Sequence, residues 1–263
     1  MRTKAPQFRL GPGKWIGLLL LALCAYLVAL LVQLPAGWAW RWLAPQVGLP
    51  PGMSVTQVGG TIWQGAARIR LDNIPTRLTW SFQMRSLLHG QLPVNWTLES
   101  AQSRLQGDVL VLGQKHVVVN VRGKLYMPEF SRLVQAQGGA NLAGSVTIRN
   151  LSLGWEGQGW SVANGEANWP GGLVTWPMGQ TMQQATMPPM QALLRRQGQV
   201  LTVSVSRTGD HQAAAQLNLS PDGVVELLIY RHLLDLAGQS WPASVGPGAI
   251  VFRMRQKVLP AFG

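Results

Sequence analysis

Along most of this chain apolar and polar side chains alternate one by one, and no other feature constrains the fold as much. A period of two sends successive side chains to opposite faces of a strand. In the segment 77–82, Leu78, Trp80 and Phe82 share one face while Arg77, Thr79 and Ser81 share the other. Val94, Trp96 and Leu98 repeat the scheme, and Ala67, Ile69 and Leu71 oppose Arg68 and Arg70. Val117, Val119 and Val121 continue it, as do Leu201, Val203 and Val205, then Ala215, Leu217 and Leu219, then Val225, Leu227 and Ile229. Strands with one apolar and one polar face belong to antiparallel sheets. Turn residues fall between these runs: Gly59-Gly60, Asp72-Asn73, Gly138-Gly139, Gly171-Gly172, Thr208-Gly209-Asp210 and Pro221-Asp222-Gly223. The last predicts a hairpin between 213–219 and 224–229. Between Val146 and Trp155 the apolar phase slips, which predicts a β-bulge near Arg149-Asn150. The expectation is a mainly β chain: an extended, curved antiparallel sheet with a few short helices, either continuous or in two related halves meeting near residue 140.

Helix is expected at 128–136, where Pro128 suits a first helical position and Gly138 a stop, and as short turns at 82–89 and 230–237. Residues 170–199, rich in Met, Pro and Gln, read as a long connection with a short helix at 190–196. Met178, Met182, Met187 and Met190 within it are either core filler or an adaptable contact surface.

The stretch from Trp15 to Val32, WIGLLLLALCAYLVALLV, carries no charge. An apolar run of this length is read as a transmembrane helix, and the indoles of Trp15, Trp38, Trp40 and Trp42 flank it as membrane-interface residues do. Arg2, Lys4, Arg9 and Lys14 precede the run, whereas only Arg41 follows closely, so the positive-inside rule puts the N-terminus in the cytoplasm. A cleaved leader is the competing reading, but its apolar core spans about 7–15 residues and ends in small residues. Here indoles dominate the segment that follows. The expected organisation is a cytoplasmic basic tail at 1–14, a single-pass inner-membrane anchor at 15–33 containing Trp15, Leu20 and Val32, and a periplasmic β-rich domain at 34–263. The single cysteine, Cys24, falls in the anchor, so the exported part has no disulfide although its compartment permits one.

Lys and Arg outnumber Asp and Glu by 22 to 10, yet after the basic tail the excess is spread thinly. A nucleic-acid face needs clustered basic residues on a recognisable module. The sequence has neither, so no nucleic-acid partner is expected, and a weak attraction to anionic lipid fits this diffuse field better. Signs of catalysis are equally missing. The 4 histidines, His89, His116, His211 and His232, stand far apart and outside metal-ligand spacing. HExxH, GxSxG, Walker and dinucleotide motifs do not occur, and Ser240 lacks the second Gly of a nucleophile elbow. No enzymatic activity, cofactor or metal is expected.

Several segments, in order, resemble the type II secretion system protein N family. They are Leu34-Pro35-Ala36 directly after the apolar run, Val58 to Gly65 (VGGTIWQG), and Leu78-Thr79-Trp80 opening a strand. Later segments, 142–146, Leu153-Gly154-Trp155 and 165–169, fit the family's general run of strands. The resemblance implies a non-enzymatic inner-membrane component of the machine that moves folded proteins from periplasm to exterior. It implies partners among the other inner-membrane components, the pseudopilus or the secretin, with inner-membrane lipid around the anchor. It supplies no catalytic residues. By architecture alone the exported part also resembles, more distantly, β-rich proteins of the AsmA type, which implies a lipid-binding or lipid-transfer module as the alternative.

Gly59-Gly60 and Gly65 are expected to bracket a short strand carrying Thr61, Ile62 and Trp63. Trp63 and Trp80 are either core indoles or partner anchors. Arg253, Arg255 and Lys257 would share one face of a strand, as a charged edge that discourages unwanted pairing or as a basic strip for lipid or an acidic partner. Gly60, Trp63, Gly65, Trp80, Arg253 and Arg255 are thus the candidate interaction residues.

Overall fold

The computed structural model describes residues 12–46, 49, 52–83, 91–112, 116–136, 139–157, 159–178, 181–239 and 246–257, and not the side chains of 12–17, 91–92, 136 and 178. The basic tail before residue 12, most of the helix expected at 82–89, His89, the Gly138 stop, Ser240 and the side chains of Trp15 and Met178 lie outside the described residues.

Two helices open the chain, α1 (Pro12–Val32) and α2 (Ala36–Leu43). Strands then follow almost without interruption: β1 (Met53–Gly60), β2 (Gln64–Leu71), β3 (Ile74–Phe82), β4 (Gln91–Glu99), β5 (Arg104–Leu112) and β6 (His116–Tyr126). A 3-10 turn (Met127–Phe130) and α3 (Ser131–Ala136) lead to β7 (Asn141–Leu142), β8 (Ser145–Glu156), β9 (Gly159–Trp169), β10 (Gly172–Met178), β11 (Thr181–Met187) and β12 (Met190–Gln197). The series closes with β13 (Val200–Arg207), β14 (Ala213–Leu219), β15 (Val224–Tyr230), α4 (Arg231–Leu236) and β16 (Ile250–Lys257). The hairpin expected at 213–229 and the short helices expected at 128–136 and 230–237 are present.

A 13-stranded antiparallel sheet runs in the order β1-β2-β3-β4-β5-β6-β8-β9-β12-β13-β14-β15-β16. It is a meander with two excursions, β7 and the β10–β11 hairpin, which pair with each other in a 3-stranded sheet, Val174 opposite Leu142. This small sheet packs against the part of the large one between β8 and β14. Trp169, Met187, Met190 and Ala214 form a buried cluster there, joined by Leu142, Val146, Val174 and Val205 and by Leu233 and Leu236 of α4.

Directly opposed residues of neighbouring strands share a face. Following the pairs across the sheet gives one unbroken apolar row: Gly65, Trp80, Trp96, Gly107, Val121, Leu151, Gly165, Leu194, Val203, Leu217, Leu227 and Met254. The row beside it, on the other face, is polar from Ser81 and Asn95 to Glu226 and Arg255. Its members bond laterally: Asn120 Nδ2 donates to Asp108 Oδ2 at 2.8 Å, Thr202 Oγ1 to Asn218 Oδ1 at 3.1 Å, and Asn218 Nδ2 to Glu226 Oε2 at 3.3 Å. Away from the central cluster, buried apolar residues such as Ala67, Ile69 and Leu201 are scattered singly, and no large side chain among the described residues is fully buried. Strand pairing and packing along the rows therefore carry the sheet. The register slip between Ile148 and Asn150 is the bulge expected there; it keeps Val146 and Leu151 on the same face.

The expectation for 170–199 is overturned. Residues 170–199 are not a connection with a short helix but β10, β11 and β12. Met190 to Gln197 is rich in good helix formers, yet it is hydrogen-bonded to β9 on one side and β13 on the other. Tertiary pairing overrides so weak a local preference.

A helix does occupy the expected anchor, and Leu20 and Val32 are exposed on it. Among the described residues, however, no helix is long and apolar enough to cross a membrane.

Candidate functional site

Within the motif at 58–65, residues 58–60 end β1 and 64–65 begin β2, and Thr61, Ile62 and Trp63 form the turn between them, not the short strand expected from their glycines. Gly60 has φ +85°, a left-handed conformation natural to glycine. Thr61 then closes the turn: its N–H donates to the Gln64 carbonyl at 2.8 Å, and its Oγ1 accepts from the Gln64 N–H at 3.2 Å.

Two indoles hold this turn. Trp80 of β3 donates from Nε1 to the Ile62 carbonyl at 3.0 Å. Trp63 stacks edge-on against Phe82, ring centres 5.6 Å apart, and its backbone carbonyl accepts from the Phe82 N–H at 2.8 Å. Gly65 is where the Trp80 ring crosses β2: a Cβ there would lie 2.5 Å from Trp80 Cζ2 and 2.6 Å from the Gly59 carbonyl oxygen. Trp63 and Trp80 are half-buried and bonded to backbone, so each carries a third role beyond core filler or partner anchor.

The same turn clips the N-terminal helices to the sheet. Trp63 Nε1 donates to the Leu31 carbonyl at the end of α1, at 2.8 Å. The Ile62 N–H donates to the Leu34 carbonyl at 3.0 Å, and Pro35 pairs with Thr61 as an isolated antiparallel bridge. Leu34-Pro35-Ala36, the turn at 61–63 and Leu78-Thr79-Trp80, which lies within β3 rather than opening a strand, are thus one contact in space. Beside it, α2 packs along β1, leaving a cleft of about 860 Å³ lined by Trp38, Trp40, Arg41 and Val58. Another cleft, of about 550 Å³, lies over β2–β4 between Arg77, Trp80, Asn95 and Trp96.

Arg253 and Arg255 lie at the opposite end of the strand order. Among the described residues β16 is the outermost strand and pairs with β15 alone. Arg255 stands opposite Glu226, and Arg253 Nε reaches Glu226 Oε1 at 3.7 Å. The apolar row ends here uncovered, with Phe252 49% and Met254 42% exposed. The candidate residues therefore fall in two places, the helix–hairpin junction and the far edge, and do not converge.

Two carboxylates are tied into hydrogen bonds that shift them. Glu129 in the 3-10 turn accepts from Ser100 Oγ at 2.7 Å, from the Gln102 N–H at 2.9 Å and from the Ser103 hydroxyl. Burial pushes its carboxyl up, but these hydrogen bonds outweigh it and hold the group below its ordinary value. Asp210 is lowered chiefly by the Gln212 backbone N–H, and pairs with His232 at 3.2 Å. His116 lies 3.4 Å from Ser161 Oγ, and His211 is exposed. Among the described residues, no group of three or more His, Cys, Asp or Glu is placed to hold a metal ion.

Sequence reasoning missed α2 as a helix, the Glu129 clasp and the exposed Phe252 and Met254. The signal for α2 was present: Trp38 and Trp42 are one helical turn apart.

Helices clipped to the first hairpin of a long antiparallel meander, with a small second sheet packed on it and a last strand that pairs on one side among the described residues, define a mainly β protein with an apolar N-terminal helix. The family model for type II secretion system (T2SS), protein N, matches residues 51–229, and the chain belongs to that family. The matched region holds the turn at 60–65 and Leu78-Thr79-Trp80 and runs through β15. No curated protein and no solved structure matches the chain.

Proposed function

We propose that this type II secretion component is a non-enzymatic scaffold. α1 anchors it in the inner membrane, and its sheet stands in the periplasm and holds neighbouring components through the open edge. The observation that carries this reading is β16: the outer strand of the sheet, exposed along its length, with Phe252 and Met254 on one face and Arg253 and Arg255 on the other. An open edge binds an extended partner segment by strand addition, in which backbone hydrogen bonds give affinity and alternate side chains give selectivity. A segment alternating apolar and acidic residues would complement it. The anchor rests on the uncharged run 15–32 and the basic residues before it.

The test is photocrosslinking in cells, with the probe at Phe252, Arg255, Trp63 and Trp80. Crosslinks from 252 and 255 to other secretion components support the scaffold, and silence at both sinks it.

A second reading, a lipid-holding sheet, is favoured by the apolar row, none of whose members joins the buried cluster under the small sheet and whose Leu217 and Met254 are exposed. Crosslinks from Trp80 dominated by phospholipid would favour that reading.

A further inference from the structure

α2 turns bulky apolar side chains away from the protein. Trp38 is 58% exposed, Trp42 69% and Leu43 45%, and residues four apart lie on one helix face. The opposite side of the helix is fixed. Ala36 is buried, and α2 approaches β1 so closely that a Cβ on Gly37 would stand 3.1 Å from the Val58 carbonyl oxygen. The helix is therefore held against the sheet with Trp42 and most of Trp38 outward, while Trp40 lines the cleft against β1, and observations of three kinds say what covers the exposed pair.

The first is continuity. The side chains of residues 18–33 are all exposed, and this surface reaches α2 through Leu34 and Pro35 alone. The second is chemistry: an indole pairs an apolar body with one N–H donor, the combination enriched at the membrane–water boundary. The third is charge. Arg41 lies exposed on α2 and Arg68 and Arg70 on β2, while no acidic residue precedes Asp72, which suits anionic head groups. A short helix with an apolar face and a cationic flank is a form that lies in the interface plane.

We propose that α2 lies in the head-group layer of the membrane, with Trp38 and Trp42 as its lipid contacts, and so pins β1 to the membrane surface. This rests on the reading of α1 as an anchor. Docking on β1, the clip to the turn at 60–65 and burial of the indoles in lipid fix the first hairpin at the bilayer. The sheet then extends outward strand by strand, each about 4.8 Å from the last.

The test uses the full-length chain with Cys24→Ser and single nitroxide labels at Val28→Cys, Trp38→Cys, Trp42→Cys and Asp222→Cys. Each is reconstituted in phosphatidylethanolamine–phosphatidylglycerol vesicles, after matched circular dichroism shows the fold intact. Accessibility to oxygen, which partitions into lipid, is compared with accessibility to a water-soluble nickel chelate. The expected pattern is oxygen-dominated at 28, nickel-dominated at 222, and at both 38 and 42 a depth between them. Labels at 38 and 42 as open to nickel as 222 overturn the proposal while 28 still upholds the anchor. Shielding of 38 and 42 from both reagents means a protein covers α2 and overturns it equally. A nickel-dominated label at 28 removes the anchor reading and the proposal with it.

Discussion

Gly65→Ala adds one carbon at the point where the Trp80 indole crosses β2. That carbon would stand 2.5 Å from Trp80 Cζ2 and 2.6 Å from the Gly59 carbonyl oxygen, against an optimum of about 3.5–4.0 Å between carbons. The oxygen belongs to the β1–β2 ladder and cannot retreat without opening the Gly59–Ala66 and Gly60–Gly65 pairs. The ring must therefore yield, and in yielding it strains its 3.0 Å hydrogen bond to the Ile62 carbonyl. Overpacking costs about 1–3 kcal/mol and loss of a half-buried hydrogen bond about 0.5–1.5 kcal/mol, so about 2–4 kcal/mol is expected in all. At about 2–4 °C per kcal/mol for a chain of this size, Tm should fall by roughly 5–15 °C. Thermal unfolding of the full chain in detergent, followed by circular dichroism, measures this. The decisive comparison repeats Gly65→Ala in a Trp80→Leu background. With the indole gone only the Gly59 contact remains, and the substitution should cost at least about 1 kcal/mol less. Equal costs in both backgrounds, or a Tm shift within about 2 °C, would refute the account of how the turn is held.

Trp63→Phe keeps the ring against Phe82 but removes the donor to the Leu31 carbonyl. Amide exchange at 34–38 and 61–64, read by mass spectrometry, should quicken roughly 2- to 10-fold; unchanged rates would mean the clip does not depend on the indole. The folded pKa of Glu129 lies below its ordinary value of 4.5, so its stabilisation is full above that value and lost as pH falls through the lowered one. Glu129→Gln should accordingly destabilise at neutral pH by about 1–3 kcal/mol, with a deficit that shrinks on acidification in denaturant titrations. A deficit independent of pH counts against the clasp. Replacing Arg253, Arg255 and Lys257 together by Thr strips the charges that guard β16, and sedimentation velocity should show concentration-dependent self-association where the native chain shows less.

The strands were legible where one face is apolar and the other polar, as at Leu78, Trp80 and Phe82, because alternation there records burial directly. At 190–197 the record fails. Leu193 and Leu194 put apolar groups on both faces, and Arg, Gln, Met and Ala favour helix; strand neighbours distant in sequence decide the outcome. The turn at 61–63 was ambiguous for a related reason. Its glycines mark an unusual backbone, but only the Leu34 carbonyl and the Trp80 ring, both remote in sequence, determine which one. In α2, consecutive indoles looked like membrane flanks, which hid their helical spacing. Partner choice at β16 depends on a second chain, so the residues of this one record the edge and not its occupant.

The meander also has a vectorial consequence. Apart from the two excursions, each strand of the large sheet pairs with the one made just before it, so a chain emerging from its N-terminus always finds its template already laid down. Most of the loops that close between neighbours are short, the condition under which β structure forms fastest. At every stage the nascent sheet presents a single growing end. Among the described residues β16 is the last strand laid down, and it offers a newcomer the same template that each earlier strand offered its successor.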